Sequence, residues 1–127
     1  MLARAQALAG VQDIRPLIDA ITRGVAPARG GLEVELPQLA ENGNSVPLRI
    51  RAASPMTEAD HVKAIHVLAE RNPRPRVATF HFSPVSGRAE VTTRVRLAGS
   101  QTVTVIAELS DRSFRIAETR VLVTTGA

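Results

Sequence analysis

The spacing of apolar residues changes once along this chain, at Gly24, and this change limits the possible folds more than any other feature. Before Gly24, apolar residues recur every three or four positions, which predicts one helical stripe: Val11, Ile14, Leu17, Ile18 and Ile21. Asp13 is a suitable N-cap, Pro16 then lies in the first turn, and Gly24 is a suitable stop. After Gly24, apolar and polar residues alternate, which is the period of a β-strand.

Seven segments beyond Gly24 have strand patterns, and turn-forming residues separate them: 32–36, 46–52, 61–70, 77–83, 91–97, 103–109 and 114–123. The third is almost continuously apolar, as in a strand buried on both faces, and Asn42-Gly43 predicts a hairpin turn. We therefore predict an all-β fold, an immunoglobulin-like β-sandwich of about seven strands preceded by an N-terminal α-helix. We place an Ala-rich extension and the helix at residues 1–24 and the sandwich domain at residues 25–127.

The composition argues against several functional classes. The 127 residues include no Cys, so they offer no disulfide, thiolate nucleophile or Cys-based metal site. The net charge of +4 permits anion binding, but three Phe and no Tyr or Trp leave few rings to stack on bases, and no nucleic-acid motif is present. The sequence contains no run of about 18 apolar residues, so no membrane span is predicted. Arg4 and Gln6 interrupt the start, which does not resemble a secretion signal.

Histidines and a pair of acids are the residues that could suggest metal binding or catalysis. His61 and His66 are five apart in a predicted strand, which places them on opposite faces, and His81 belongs to another strand. We therefore predict no metal site and interpret the three as partly buried or surface histidines. Glu58 and Asp60 lie in a Ser/Pro loop, where carboxylates usually form turns or face water. No catalytic residue or cofactor is predicted, because no catalytic motif is present.

Arginine pairs occur on two of the predicted strands. Arg49 and Arg51 alternate with apolar residues on one strand, and Arg94 and Arg96 do so on another. Such residues belong to the polar side of a strand, where a solvated sheet face is the simplest interpretation. A surface that faces an anion or a partner remains the alternative.

Several loops and strands share one further pattern, which runs in a single register over residues 14–126. It is carried by Ser54-Pro55-Met56-Thr57, by Asn72-Pro73-Arg74-Pro75, by Gln101, and by the segments 36–47, 62–66, 77–82, 86–91 and 93–98. In this register the sequence resembles the SoxY family, the sulfur-carrier subunits of the bacterial thiosulfate-oxidising Sox system. The length of the similarity makes it more specific than any single short motif.

The resemblance implies a carrier rather than an enzyme. It implies a periplasmic location, a heterodimer with SoxZ, a second β-sandwich protein, and contact with the Sox enzymes that load and process the carrier. Without its partner, the chain could associate with itself through exposed strands or an apolar face. In this family, a mobile C-terminal Gly-Gly-Cys-Gly-Gly arm holds sulfur intermediates covalently on its Cys, which reacts as the thiolate.

The C-terminus departs from the family pattern. Gly126 and Ala127 stand where the two leading glycines of the arm belong, and the sequence stops where the Cys is expected. Three explanations are open: the sequence is truncated before the arm, the protein is a SoxY-like binding or scaffold subunit that has lost the Cys, or the arm has been cleaved. Asp111-Arg112 also replaces an Asp-Gly turn, which is expected to matter only for local geometry.

Overall fold

The computed structural model describes residues 10–126. The Ala-rich extension predicted at the N-terminus lies outside the described residues except for Gly10, and so does Ala127. Within them the chain forms one helix, α1 (Arg15–Thr22), and the strands β1 (Ala28–Arg29), β2 (Leu32–Glu35), β3 (Leu39–Ala40), β4 (Val46–Ala52), β5 (Val62–Ala69), β6 (Arg76–His81), β7 (Ala89–Val95), β8 (Gln101–Leu109) and β9 (Phe114–Val123). A single turn of 3-10 helix (Pro84–Ser86) precedes β7.

The strands form two sheets that face each other. The larger sheet has the order β1-β9-β8-β5-β6, with β3 also paired to β9, and the smaller has the order β2-β4-β7. The seven longer strands correspond to the seven predicted segments, which confirms the immunoglobulin-like sandwich preceded by a helix. The short strands β1 and β3 pair in parallel with opposite ends of β9. Two residues are too few to show an alternating pattern, so the sequence did not predict them.

The hairpin predicted at Asn42-Gly43 is wrong. β2 and β4 do pair antiparallel, with Val34 opposite Ile50, but the chain between them crosses to the larger sheet to form β3 before it returns. Gly43 does not adopt the positive φ that a type I′ turn requires. Its backbone is hydrogen-bonded to Thr125 and Leu97 instead, so the segment connects distant parts of the chain.

Aliphatic side chains fill the space between the sheets. The largest fully buried ones include Leu48 and Ile50 of the smaller sheet and Ile65, Val67 and Val105 of the larger sheet. Because the chain has so few aromatic residues, close packing here depends on branched aliphatic side chains.

The helix covers the outer face of the larger sheet. Its Ile21 packs against Leu68 of β5, Ile106 of β8 and Phe114 of β9. This second cluster explains why β5 is buried on both faces, as its continuous apolar sequence predicts. Val11 lies before the helix and is 64% exposed, so its predicted place in the helical stripe is wrong.

The helix begins one residue later than predicted. Ile14 occupies the N-cap position, and Asp13 lies just before it, where its carboxylate accepts a 3.0 Å hydrogen bond from the Arg15 backbone N–H. The Arg15 guanidinium also hydrogen-bonds this carboxylate and lowers the pKa of Asp13 to about 2. At the other end, Arg23 adopts a left-handed conformation, and Gly24 follows with a φ of 83°, close to the predicted stop.

The turn between β8 and β9 shows the consequence of Arg112. This residue has a φ of 70°, in the left-handed region where Gly carries no steric cost. Asp111 supports the turn, because its carboxylate accepts hydrogen bonds from the backbone N–H and hydroxyl of Ser113. Arg112 therefore occupies a strained position that the Asp-Gly pair of the family pattern would relieve.

A β-bulge in β5 changes which of its residues face the core. Val62 and Ile65 are three residues apart, yet both contact the core between the sheets, because the pairing with β8 shifts after Val62. The even-odd argument that placed His61 and His66 on opposite faces is therefore wrong at this bulge.

Within the described residues, no helix is long and apolar enough to cross a membrane.

His66 is a buried titratable residue of β5. Its Nδ1 lies 3.1 Å from the Thr79 hydroxyl, and its Nε2 lies 3.8 Å from Glu108 Oε1, beyond hydrogen-bond distance. Among the described residues, Nε2 has no hydrogen-bond partner. Burial lowers the pKa of His66, and the carboxylate of Glu108 only partly opposes this effect.

We expect acid to destabilise the protein through His66. An unfolded histidine takes up a proton near pH 6.5, whereas the folded state resists protonation of His66, so the unfolded state holds more protons as the pH falls below about 6.5. The free energy of unfolding should therefore decrease between about pH 7 and pH 5, and less so in His66→Gln. Urea denaturation at both pH values measures the decrease. Thr79→Val keeps the titrating ring and should retain it; an equal decrease in His66→Gln and the wild type would contradict this role.

Candidate functional site

Loops from both sheets hold the end of β9. The backbone N–H of Thr124 donates to Ala40 O of β3 at 3.0 Å. Gly43 N–H donates to Thr125 O at 2.7 Å, and Gly43 O accepts from the N–H of Leu97, which follows β7, at 2.8 Å. These bonds hold the chain in place as far as Thr125, where it leaves the sandwich.

A buried amide, Asn72, organises the loops at this end. Its Oδ1 accepts hydrogen bonds from the Ala98 backbone N–H at 2.9 Å and from Gln101 Nε2 at 3.0 Å. Its Nδ2 donates to the carbonyl oxygen of Arg96 at 2.8 Å. One side chain thus joins the loop after β5 to the loop after β7 and to the start of β8.

Gln101 continues the network into the backbone. Its side chain is fully buried, its Oε1 accepts from the Arg71 backbone N–H at 2.9 Å, and its Nε2 also donates to Gly99 O at 3.1 Å. The neighbouring Ser100 hydroxyl oxygen accepts from the Val123 backbone N–H at 2.8 Å. The network therefore reaches from the interior to the last residue of β9.

Gly126 lies directly against the loop after β7. A Cβ built on Gly126 would collide with the carbonyl oxygen of Ala98, so only glycine fits this approach. Gly126 is one of the two residues predicted to begin the carrier arm, and Ala127, the other, is outside the described residues. Gly126, the first residue of the predicted arm, is therefore in contact with the loop that the Asn72 network holds.

The residues predicted as metal or acid candidates lie away from this end. His61 Nδ1 is 3.0 Å from Thr57 O, His66 is buried in β5, and His81 is exposed. Within residues 10–126, no group of three or more His, Asp or Glu side chains is placed to hold a metal ion. Glu58 and Asp60 are exposed in their loop, where the Asp60 backbone pairs with Thr57 in a turn.

The two arginine pairs differ in their surroundings. Arg49 lies 2.9 Å from Glu90 and 3.9 Å from Glu35, and Arg51 lies 3.5 Å from Glu90. The hydrogen bond from Arg49 lowers the pKa of Glu90. Arg49 and Arg51 thus belong to a charged ladder on the outer face of the smaller sheet, as a solvated face predicts. Arg94 and Arg96 are exposed at its edge, where Arg94 donates to the Ser45 hydroxyl at 3.3 Å.

Sequence reasoning missed the structural role of Asn72, Ser100 and Gln101. Asn72-Pro73 has the composition of a turn, and such an Asn usually faces water or its own backbone. Only the Asn-Pro turn next to an apolar strand could have marked the position, and it does not show that the amide is buried.

We expect Asn72→Ala to destabilise the protein by at least about 2 kcal/mol, because two buried donors and one carbonyl would lose their partner. Thermal or urea denaturation measures the change. Asn44→Ala is the matched control, since Asn44 is exposed and its replacement should cost less than about 0.5 kcal/mol. Equal effects of the two substitutions would show that the buried network does not hold this end of the sandwich.

Comparisons with known proteins agree with this architecture. The sulfur carrier protein SoxY from Chlorobium limicola f thiosulfatophilum superposes with a TM-score of 0.73 at 24% identity, covering 87% of this chain and 96% of that one. A superoxide reductase (neelaredoxin) from Ignicoccus hospitalis superposes with a TM-score of 0.66 at 17% identity, covering 74% and 80%. The superoxide reductase from Nanoarchaeum equitans has a TM-score of 0.64 at 11% identity, covering 76% and 100%. At these identities the likeness shows the fold alone.

The match to a protein-family model is more specific than the superposition of solved structures. A search of curated protein sequences found no match. The model of the family described as sulfur oxidation protein SoxY matches residues 18–127, which include every strand, the Asn72 network and the C-terminal residues. The match covers far more than half of the chain, and the chain therefore belongs to the SoxY family.

Proposed function

We propose that this chain is the sulfur-carrier subunit of a periplasmic thiosulfate-oxidising Sox system. It carries sulfur intermediates covalently on a cysteine directly after Ala127, and it has no active site of its own. The observation that supports this most directly is the contact of Gly126 with Ala98, because it anchors the chain where the family's arm begins. Membership of the SoxY family supports the same function.

The anchored strand end suits a carrier. Hydrogen bonds of Thr124 and Thr125 hold the chain up to the arm, while glycines beyond that point leave the backbone free to adopt many conformations. The thiolate is the reactive form of the cysteine. A fixed root and a mobile tip let one thiol enter the sites of several enzymes in turn.

A SoxZ-like β-sandwich subunit is the proposed partner. Leu39 and Leu122 are opposite each other in the pairing of β3 with β9, and they are 54% and 51% exposed. Adjacent apolar side chains on a sheet surface favour burial by another protein. We place the partner contact on this leucine pair, close to the root of the arm.

The carrier function is tested on the native protein, purified from the periplasm of its source organism. Intact mass should show a chain that continues past Ala127 with a cysteine. Incubation with thiosulfate, the Sox enzymes and an electron acceptor that takes up the two electrons released per new S–S bond should add sulfur-containing groups, and a thiol reductant should remove them. A native protein that ends without cysteine and gains no mass would overturn the proposal and favour a SoxY-like binding or scaffold subunit.

We expect Gly126→Ala in the native protein to slow thiosulfate oxidation by the reconstituted system roughly tenfold, because the displaced arm would enter partner sites poorly. The free energy of unfolding should change by less than about 1 kcal/mol, since Gly126 is exposed beyond the end of β9, where the chain can move away from Ala98 without disturbing the strands. Gly99→Ala is the control, because a Cβ there would meet the Arg71 guanidinium at an ordinary 3.7 Å. Wild-type rates in both variants would contradict a role for the Gly126 contact.

We expect Leu122→Arg to weaken binding of the SoxZ-like partner at least about tenfold, because a buried leucine contributes roughly 1.5–3 kcal/mol. Titration calorimetry with the purified partner measures the affinity. Val85→Arg is the control, since Val85 is 94% exposed in the turn before β7. Undiminished binding by Leu122→Arg would place the interface elsewhere.

A further inference from the structure

An arginine-lined groove runs between the edge strands of the two sheets. β6 is the edge of the larger sheet and β7 is the edge of the smaller one. The groove has a volume of about 560 Å³, and its lining includes Val77 and Phe80 together with four arginines: Arg74, Arg76, Arg94 and Arg96. The two strands thus bring four positive charges to one concave surface.

The charges of these four arginines are not neutralised by neighbours. Among the described residues, none of the four lies within 4.0 Å of a carboxylate, and none of the residues lining the groove is acidic. Elsewhere on the smaller sheet, by contrast, Arg49 and Arg51 of β4 both pair with Glu90 of β7. Like charges held in a concave surface repel one another and attract an anion.

The backbone of the groove is well supported. Arg74 lies between Pro73 and Pro75, whose rings restrict the backbone. The carbonyl oxygen of Arg96 accepts the 2.8 Å hydrogen bond from Asn72, which itself lines the groove. The backbone of Arg96 is therefore held by the buried network and that of Arg74 by its flanking prolines, while the side chains of all four arginines remain exposed to a ligand.

We propose that this groove binds a small tetrahedral sulfur oxyanion, of the class that includes the dianions sulfate and thiosulfate and the singly charged sulfonate group. A guanidinium presents a planar set of N–H donors that matches two oxygens of such an ion, and the hydrogen bonds are charge-assisted. Arg74 and Arg76 present such groups from one wall of the groove, and Arg94 and Arg96 from the other. Chloride offers no pair of oxygens to a guanidinium.

The groove adjoins the root of the C-terminal arm. A smaller cavity of about 340 Å³ shares Arg74 and Arg96 with the groove and is also lined by Ala98. Ala98 is the residue whose carbonyl oxygen contacts Gly126. The ligand in the cell is accordingly an oxidised sulfur group, either free or attached to the arm; this assignment rests on the proposed carrier function, whereas binding of a free oxyanion does not.

Titration of the full chain with sodium sulfate and sodium thiosulfate at constant ionic strength tests the site. Two-dimensional amide NMR should show saturable shifts confined to residues 72–76 and 93–98. The double substitution Arg94→Gln/Arg96→Gln should weaken binding about tenfold, and Arg74→Gln/Arg76→Gln on the opposite wall should do the same. Arg88→Gln/Arg120→Gln removes the same charge at exposed positions outside the groove and should leave affinity within about twofold.

Chemical shifts that do not saturate, or an equal loss of oxyanion affinity in all three double variants, would show that the anions only screen the overall positive charge of the protein. Either result would overturn the proposal. All of the substituted side chains are exposed, and unchanged spectra away from the groove verify the fold of each variant. The affinity for added sulfate, compared in the native protein with and without a sulfonate on its arm, distinguishes a free ligand from one attached to the arm. An arm bound in the groove should displace free sulfate. If the native protein lacks a cysteine but still binds sulfate, the missing cysteine would refute the carrier function, and the sulfate binding would support the anion site.

Discussion

The hydrogen bond between the buried amides of Asn72 and Gln101 is the contact on which the C-terminal end of the sandwich depends. It joins the loop after β5 to the start of β8, and Asn72 adds the loop after β7. A buried polar group that loses its partner keeps the cost of its desolvation, so each of these loops stabilises the arrangement of the others. Through Ser100 and Val123, the same network reaches β9. The path of the last residues is therefore set by polar contacts, while the aliphatic core fixes the sheets that carry them.

Apolar patterns predict the seven longer strands, because each packs at least one face on the core between the sheets and β5, which is almost continuously apolar, is buried on both faces. The same reasoning fails where pairing, rather than side-chain pattern, creates the structure. β1 and β3 are strands only because the ends of β9 accept them. Asn42-Gly43 has hairpin composition, but Gly43 bonds Thr125 and Leu97. The bulge after Val62 likewise depends on the register between β5 and β8, which no single strand encodes.

The candidate site, too, is only partly predictable from the sequence. The resemblance to the family predicts Gly126 as the start of the arm, and this assignment stays a prediction. The collision that makes glycine necessary comes from Ala98, 28 residues earlier in sequence. The two arginine pairs look alike in sequence, each alternating with apolar residues. They differ because β4 is the central strand of its sheet, with acidic residues on both neighbours, whereas β7 is an edge strand that faces β6 across the groove.

In the proposed carrier, anchoring and anion binding would act together on a ligand tethered to the arm. A group attached a few residues beyond Gly126 stays near the groove, so its effective concentration there is on the order of millimolar. A free oxyanion must bind from dilute solution and also competes with salt, which screens exposed charges. Exposed arginines can therefore hold a tethered sulfonate that they would bind only weakly when free, and the same weakness allows release to a partner enzyme. A tighter, enclosed site would retain the group and prevent transfer, so an open groove whose arginines pair with no carboxylate among the described residues suits the proposed carrier function.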